Sequence, residues 1–190
     1  MSLASVLQIE TFCLESFTQL TTSQLEEILI WRNTDSVRDW MYNSQPITLS
    51  DHLEFVQGLK GTNNHYYLVK DQQNAKLGVL SFKLLPNNQS AYFGMYANPH
   101  ENQLGLGFKF DKIAQSICFE LLNYKTLKLE IFEQNVSVIE IHKRMGFKIE
   151  GTLKNFARYQ GQWENVLIMG ITLETYLALI STKQVKSEPS

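Results

Sequence analysis

Long apolar runs are missing from this chain. No stretch approaches the ~20 apolar residues that span a bilayer, and Met1 to Ile9 does not join a basic segment to an apolar one. The expectation is a cytoplasmic protein with no membrane partner. A basic excess is missing too, since 17 Lys and Arg stand against 19 Asp and Glu for a formal net charge of −2. With no cationic block to neutralise a phosphate backbone, nucleic acid is set aside as the main partner. Cysteine is scarce. Cys13 and Cys118 lie far apart in apolar surroundings, which leaves a disulfide open but fits two buried thiols better, because free cysteine is so often buried. Four scattered histidines show no metal-ligand spacing, so no metal is expected. Internal repeats, low-complexity stretches and proline-rich linkers are absent as well, which argues against a division into two domains.

What is present suits one compact domain: 190 residues, 44% hydrophobic and 19% charged. Residues 1–180 are expected to form it, with a polar tail from Ser181 to Ser190. Leu7 to Phe17 reads as a strand. Thr21 to Asn33 reads as a helix opening on one of two capping boxes, Thr21 with Gln24 or Ser23 with Glu26. A second helix is expected from Ser50 to Leu59. Three β-rich runs follow, His65 to Lys70, Gly78 to Leu84 and Ala91 to Ala97, separated by turn-forming residues as in an antiparallel meander. Leu106, Phe110, Ile113, Ala114, Ile117, Leu121 and Leu122 keep the rhythm of a long amphipathic helix. Leu127 to Glu133 alternates like a strand, and Val136 to Met145 is a short helix ended by Gly146. Strands from Phe147 to Leu153 and from Asn165 to Thr172 flank a turn near Gln160 and Gly161. The fold class is α/β in the mixed α+β sense.

Two places carry chemistry. Gly105 and Gly107 stand where the long helix begins, after the loop through Asn102, Gln103 and Leu104 and with Leu106 between them. Backbone amides there, unobstructed by side chains, can hold a phosphate or pyrophosphate, although glycines serve turns at least as often. Further on, a strand leads to Asn135 at a helix start, and His142 lies seven residues along, about two helical turns, on the same face.

The succession Glu130, Asn135, a helix through His142 and Lys143, Met145-Gly146-Phe147 and Glu150-Gly151 resembles the signature of the GNAT superfamily of N-acetyltransferases, and the loop before Gly105 and Gly107 is similar to that family's pyrophosphate-binding element. The resemblance covers about two thirds of the chain. It implies a central, mostly antiparallel twisted sheet of about seven strands flanked by helices and splayed between the fourth and fifth. It also implies acetyl-CoA as co-substrate, lying along Met95, Tyr96 and Ala97, the loop from Asn102 to Gly107, Asn135 and Lys143. Two departures stand out: Asn102 replaces the usual Gln or Arg, and His142 replaces the usual Tyr.

By that resemblance the amine attacks the thioester directly, a backbone amide near Met95 or Tyr96 opposes the developing oxyanion, and His142, in the place of the usual Tyr, protonates the leaving thiolate; Glu130, on the face of its strand opposite Leu127, Leu129 and Ile131, is expected to take the amine's proton through water. The plainer alternatives are that His142 caps or packs, and that Glu130 is solvated or salt-bridged. On the acceptor side, Arg32 falls on the inward stripe of the first helix with Leu25, Ile28 and Leu29. His52 shares the apolar face of the second with Phe55, Val56 and Leu59. The wording around Trp31 to Asn33, Val37 to Tyr42 and His52 to Val56 resembles the N-acetyltransferases of pseudaminic acid biosynthesis. That implies a UDP-linked 4-amino-dideoxy sugar as acceptor, with Arg32 and His52 at the diphosphate, Met41 and Tyr42 at the base or sugar, and Ser81 or Lys83 at the acceptor. The resemblance allows a homodimer. A ribosomal-protein-type N-terminal acetyltransferase and an acetyl-CoA-binding protein without turnover remain the alternative readings.

Overall fold

A computed structural model describes residues 3–101 and 104–185. Among these described residues eight strands form one sheet in the order β1-β2-β3-β4-β5-β6-β8-β7. The strands are β1 (Val6–Ile9), β2 (Phe12–Ser16), β3 (Asn64–Lys70), β4 (Lys76–Leu85), β5 (Ser90–Ala97), β6 (Thr126–Phe132), β7 (Lys148–Tyr159) and β8 (Gln162–Thr172). The helices are α1 (Thr22–Asn33), α2 (Asp35–Arg38), α3 (Leu49–Gly58), α4 (Leu106–Gln115), α5 (Val136–Arg144) and α6 (Leu173–Val185). All pairings are antiparallel except that of β5 with β6.

The count exceeds the expected seven because Leu7 to Phe17 is not one strand. Glu10, at φ 53, turns the chain back on itself and makes β1 and β2 a hairpin. Two helices escaped the sequence reading as well. The single turn α2 follows directly on α1, and α6 runs through Val185, into the segment read as a tail. For α1 the local signals suffice. Thr21 caps it, its side chain accepting from Gln24 N–H while the Gln24 side chain accepts from Thr21 N–H, so the first of the two candidate boxes is the one used. Such a cap is worth about 1 kcal/mol.

The pleat sorts β4 between two cores. Leu80, Phe82 and Leu84 turn to the core under α4, with Phe110, Ile113, Ala114 and Ile117. Val79 turns to the core of α1 and α3, with Leu25, Ile28, Trp31 and Val56. Each fully buried apolar side chain of this size contributes roughly 1.5–3 kcal/mol. The alternation therefore fixes which face of the sheet each helix covers, and it leaves Ser81 and Lys83 on the α1/α3 face.

The long helix expected from Leu106 to Leu122 changes character partway. Beyond Gln115 it continues as a π-helical segment, Ser116–Leu121, with Leu122 N–H reaching the Ile117 carbonyl at 3.0 Å. The wider turn rotates the face, so Leu122 is buried while Leu121, expected inside, is exposed. The cysteines are both free. Cys118 is buried, which pushes its thiol up to about 12, but Cys13 is only half-buried.

The feature that creates a site is the join between β5 and β6. They pair only at Ser90 with Thr126, Ala91 with Leu127 and Tyr92 with Lys128. Past these the strands diverge: Phe93 to Ala97 and Leu129 to Phe132 have no register partner across the gap. This is the splay expected between the fourth and fifth of the seven strands. Gly78 keeps β5 on its course. A side chain there, at φ +153, would place its Cβ 2.3 Å from the Tyr96 carbonyl oxygen.

Candidate active site

The gap opens into a cleft of ≈ 1610 Å³. One wall carries an unpaired strand edge. The unpaired half of β5, with Met95, Tyr96 and Ala97, lines it beside Leu106 and Gly107 at the start of α4 and Asn135 at the start of α5. Gly105 precedes α4 in the left-handed region, at φ 78. Among the described residues no side chain caps the first amides of α4, and free amides at a helix start are the usual place for an anion. Gly107 lets α4 approach α5 closely; a Cβ there would come within 3.1 Å of the Ile141 Cδ1 atom.

The opposite wall is built of side chains from α1, α3 and the segment between α2 and α3. Asn33 pins that segment in both directions, donating to the Ile47 carbonyl and accepting from the Ile47 amide, each at 2.9 Å. Arg32 Nη2 donates to the Asn43 carbonyl at 2.8 Å. The pinned segment presents Met41 and Tyr42 to the cleft, and the Tyr42 hydroxyl donates to Glu130 Oε2 at 2.6 Å. Burial and then the Glu130 carboxylate hold the Tyr42 phenol well above its ordinary range, so it stays a donor. Tyr42 also meets Phe132 and Phe156 edge-on, while Trp40 packs on Tyr159, giving this end of the cleft an aromatic rim.

Arg32 and His52 stand out electrostatically. Burial lowers the Arg32 pKa, its Nη1 has no hydrogen-bond partner, and among the described residues no carboxylate pairs with it. His52 is buried against Phe17 and Phe55 with Nε2 unpartnered, and burial followed by the Arg32 charge lowers its pKa. Two unsatisfied nitrogens in one cleft are costly unless a ligand meets them. Ser81 and Lys83 line the same cleft from β4, with Ser81 Oγ donating to the Gly94 carbonyl at 3.3 Å.

The structure thus brings to one cleft Arg32, Met41, Tyr42, His52, Ser81, Lys83, Met95, Tyr96, Ala97, Leu106, Gly107, Glu130, Asn135 and His142. It does not bring Leu104, Gly105 or Lys143 to the lining. Leu104 is 95% exposed, beside a separate small hollow. Lys143 follows His142 by about 100° around α5 and pairs on the surface with Glu140 at 2.7 Å. Asn102 and Gln103 lie outside the described residues. His142 is held differently from a cap: its ring Nδ1 lies 2.9 and 2.8 Å from the two carboxylate oxygens of Asp111 on α4. The sequence reading passed over Asp111. The signal was its stripe, Gly107, Asp111, Ala114 and Cys118 at helical spacing, in which a carboxylate interrupts small and apolar neighbours.

A sheet split at one join leaves an extended slot with free strand edges and the starts of α4 and α5 along it. Residues 16–148 match the model of the acetyltransferase (GNAT) domain, and the chain belongs to that family. It is therefore an N-acetyltransferase that uses acetyl-CoA. Among curated relatives, the acetyltransferase PseH of Campylobacter jejuni serotype O:23/36 is 29% identical over 143 residues, 75% of this chain and 88% of the relative. The PseH of serotype O:2 is 27% identical over the same shares. The spermidine N(1)-acetyltransferase of Escherichia coli is 31% identical over 91 residues, 48% of this chain and 49% of the relative. Among solved structures, spermidine N-acetyltransferase from Vibrio cholerae, in complex with CoA and spermine, superimposes with a TM-score of 0.79 at 19% identity. That match covers 89% of this chain and 99% of the other.

Proposed function

We propose that the acceptor is the 4-amino group of a UDP-linked amino-dideoxy sugar. The observation that carries this reading is the uncompensated Arg32 beside His52. A half-buried guanidinium whose inaccessible Nη1 is unpartnered, with no carboxylate paired to it among the described residues, favours a diphosphate and repels a cationic polyamine. Met41, Tyr42 and the aromatic rim suit the flat faces of a base and a sugar, and the likeness to PseH points the same way.

The cleft also fits the acyl donor. A pantetheine arm can pair along the open edge of β5, and its pyrophosphate can meet the first amides of α4 at Leu106 and Gly107, with Asn135 beside them. When bound, acetyl-CoA supplies an activated acetyl thioester. A backbone amide of Met95 or Tyr96 opposes the charge developing on the thioester oxygen, worth about 3 kcal/mol in other enzymes. Glu130, held by Tyr42, takes the amine's proton through water, and His142 gives a proton to the departing thiolate. No covalent acyl-enzyme is needed.

Incubation of the protein with acetyl-CoA and, separately, a UDP-4-amino-dideoxy sugar, spermidine and a basic N-terminal peptide, followed by mass spectrometry, tests the proposal. The expected product is the acetylated UDP-sugar. Acetylation of spermidine or of the peptide in preference to the sugar overturns it.

A further inference from the structure

Three contacts spaced four residues apart along α4 hold α5 in place. Gly107 packs against Ile141, Asp111 bonds His142, and Gln115 Nε2 donates to the Met145 carbonyl at 2.8 Å. The outer two set the distance and end of α5. The middle one is of a different kind, because Asp111 is 0% exposed, His142 is 3% exposed, and among the described residues no other side chain bonds the Asp111 carboxylate. A buried carboxylate with a single partner is an expensive way to join two helices, and an apolar pair would do so at lower cost. Phe93 and Phe147 stand edge-on to the imidazole at 6.0 and 5.5 Å and fix the plane of the ring. Gly146 then ends α5 at φ +94, with Phe147 N–H bonding back to the His142 carbonyl at 3.0 Å, so Phe147 is locked to the residue it packs on.

We propose that Asp111 is a positioning residue of the transfer reaction: it holds His142 protonated at Nδ1 and so presents Nε2 to the cleft that His142 lines. This rests on the reading above that His142 is the acid. An acceptor at Nδ1 selects the tautomer, and the two ring nitrogens point well apart, so the nitrogen left for chemistry is Nε2. In the step, the acceptor nitrogen bonds the acetyl carbon as the carbon–sulfur bond breaks. The amine's proton leaves through water to Glu130, and the Nε2 proton of the imidazolium passes to the sulfur. Asp111 keeps its bond to Nδ1–H throughout and neither gains nor loses a proton. Burial raises the Asp111 carboxyl and the bond and charge of His142 pull it back, as a pair that works only together requires.

The test is a double-mutant cycle with a spectroscopic arm. Asp111→Asn, near-isosteric, is expected to lower kcat by about ten- to hundredfold with both KM values within about twofold, and to cost nothing further in a His142→Phe background. Unchanged kcat in Asp111→Asn while His142→Phe is impaired overturns the role of Asp111, as does an equal loss in both backgrounds or a change confined to KM. Full turnover in His142→Phe instead removes the acid reading, and this proposal with it. The wild-type protein, labelled with 15N-histidine, needs no turnover and no variant that must fold beyond the His142→Phe protein used for assignment among the four histidines. Long-range 1H–15N correlations are expected to show His142 protonated at Nδ1, and a neutral ring protonated at Nε2 alone overturns the proposal.

Discussion

The two walls of the cleft are built by different means. The β5, α4 and α5 wall works through backbone: an open strand edge, two helix starts, and glycines that keep side chains out of the way. The α1, α3 and connecting-segment wall works through side chains, Arg32, His52, Met41 and Tyr42, held by Asn33 and by the bond to Glu130. A wall of backbone suits a ligand that never varies, and a wall of side chains can be rewritten residue by residue for a new acceptor. Relatives named for spermidine and for PseH are both similar to this chain.

If the division is right, changes on each wall separate in their effects. Glu130→Gln, at the junction, is expected to cost the most, about 10²- to 10⁴-fold in kcat, with acetyl-CoA affinity by calorimetry unchanged. Near-normal turnover with an unaltered pH profile would remove Glu130 from the chemistry. On the backbone wall, Gly107→Leu drives a branched side chain toward Ile141 and into the slot. It should weaken acetyl-CoA binding by more than about tenfold, the overpacking cost being roughly 1–3 kcal/mol, and leave the acceptor's KM in place. Arg32→Met is the converse. Loss of a charge-assisted bond of about 1.5–3 kcal/mol should raise the acceptor KM by about tenfold or more without touching acetyl-CoA affinity. A crossover, with Arg32→Met weakening the coenzyme or Gly107→Leu the acceptor, would break the two-wall picture.

The smallest effect concerns His52. Its folded pKa lies below the ordinary value of 6.5, so the unfolded chain binds the proton more readily. The contribution to stability is present above that value and is lost as pH falls toward the lowered one. Thermal melts of wild type and His52→Asn between pH 7 and 5 should converge on acidification, by less than about 1 kcal/mol for the partly accessible cleft. Curves that stay parallel would show that His52 does not titrate in this window.

Legibility followed the range of the interaction. The capped helix α1, the strands β3, β4 and β5 and the glycine end of α5 are set by neighbours a few residues away, and those patterns appear in the chain as written. The hairpin at Glu10 was hidden because a positive φ at a glutamate has no strong local signature. The π-helical segment escaped because a one-residue change of pitch barely disturbs an apolar rhythm.

Within the site, Glu130, Asn135 and His142 stood out because they sit at recognisable steps of strand, cap and helix. Asp111 did not, because Gly107 and Gln115 beside it on its stripe do not mark that face as buried. By itself, the sequence determined the order of elements from β3 to β8, the glycine-led start of α4 and the family. Tertiary structure alone decided that β5 and β6 part after Tyr92, that Tyr42 reaches Glu130 across 88 residues, and that Asp111 faces His142. Each of these joins segments distant in the chain, and only packing in three dimensions brings such partners within bonding distance.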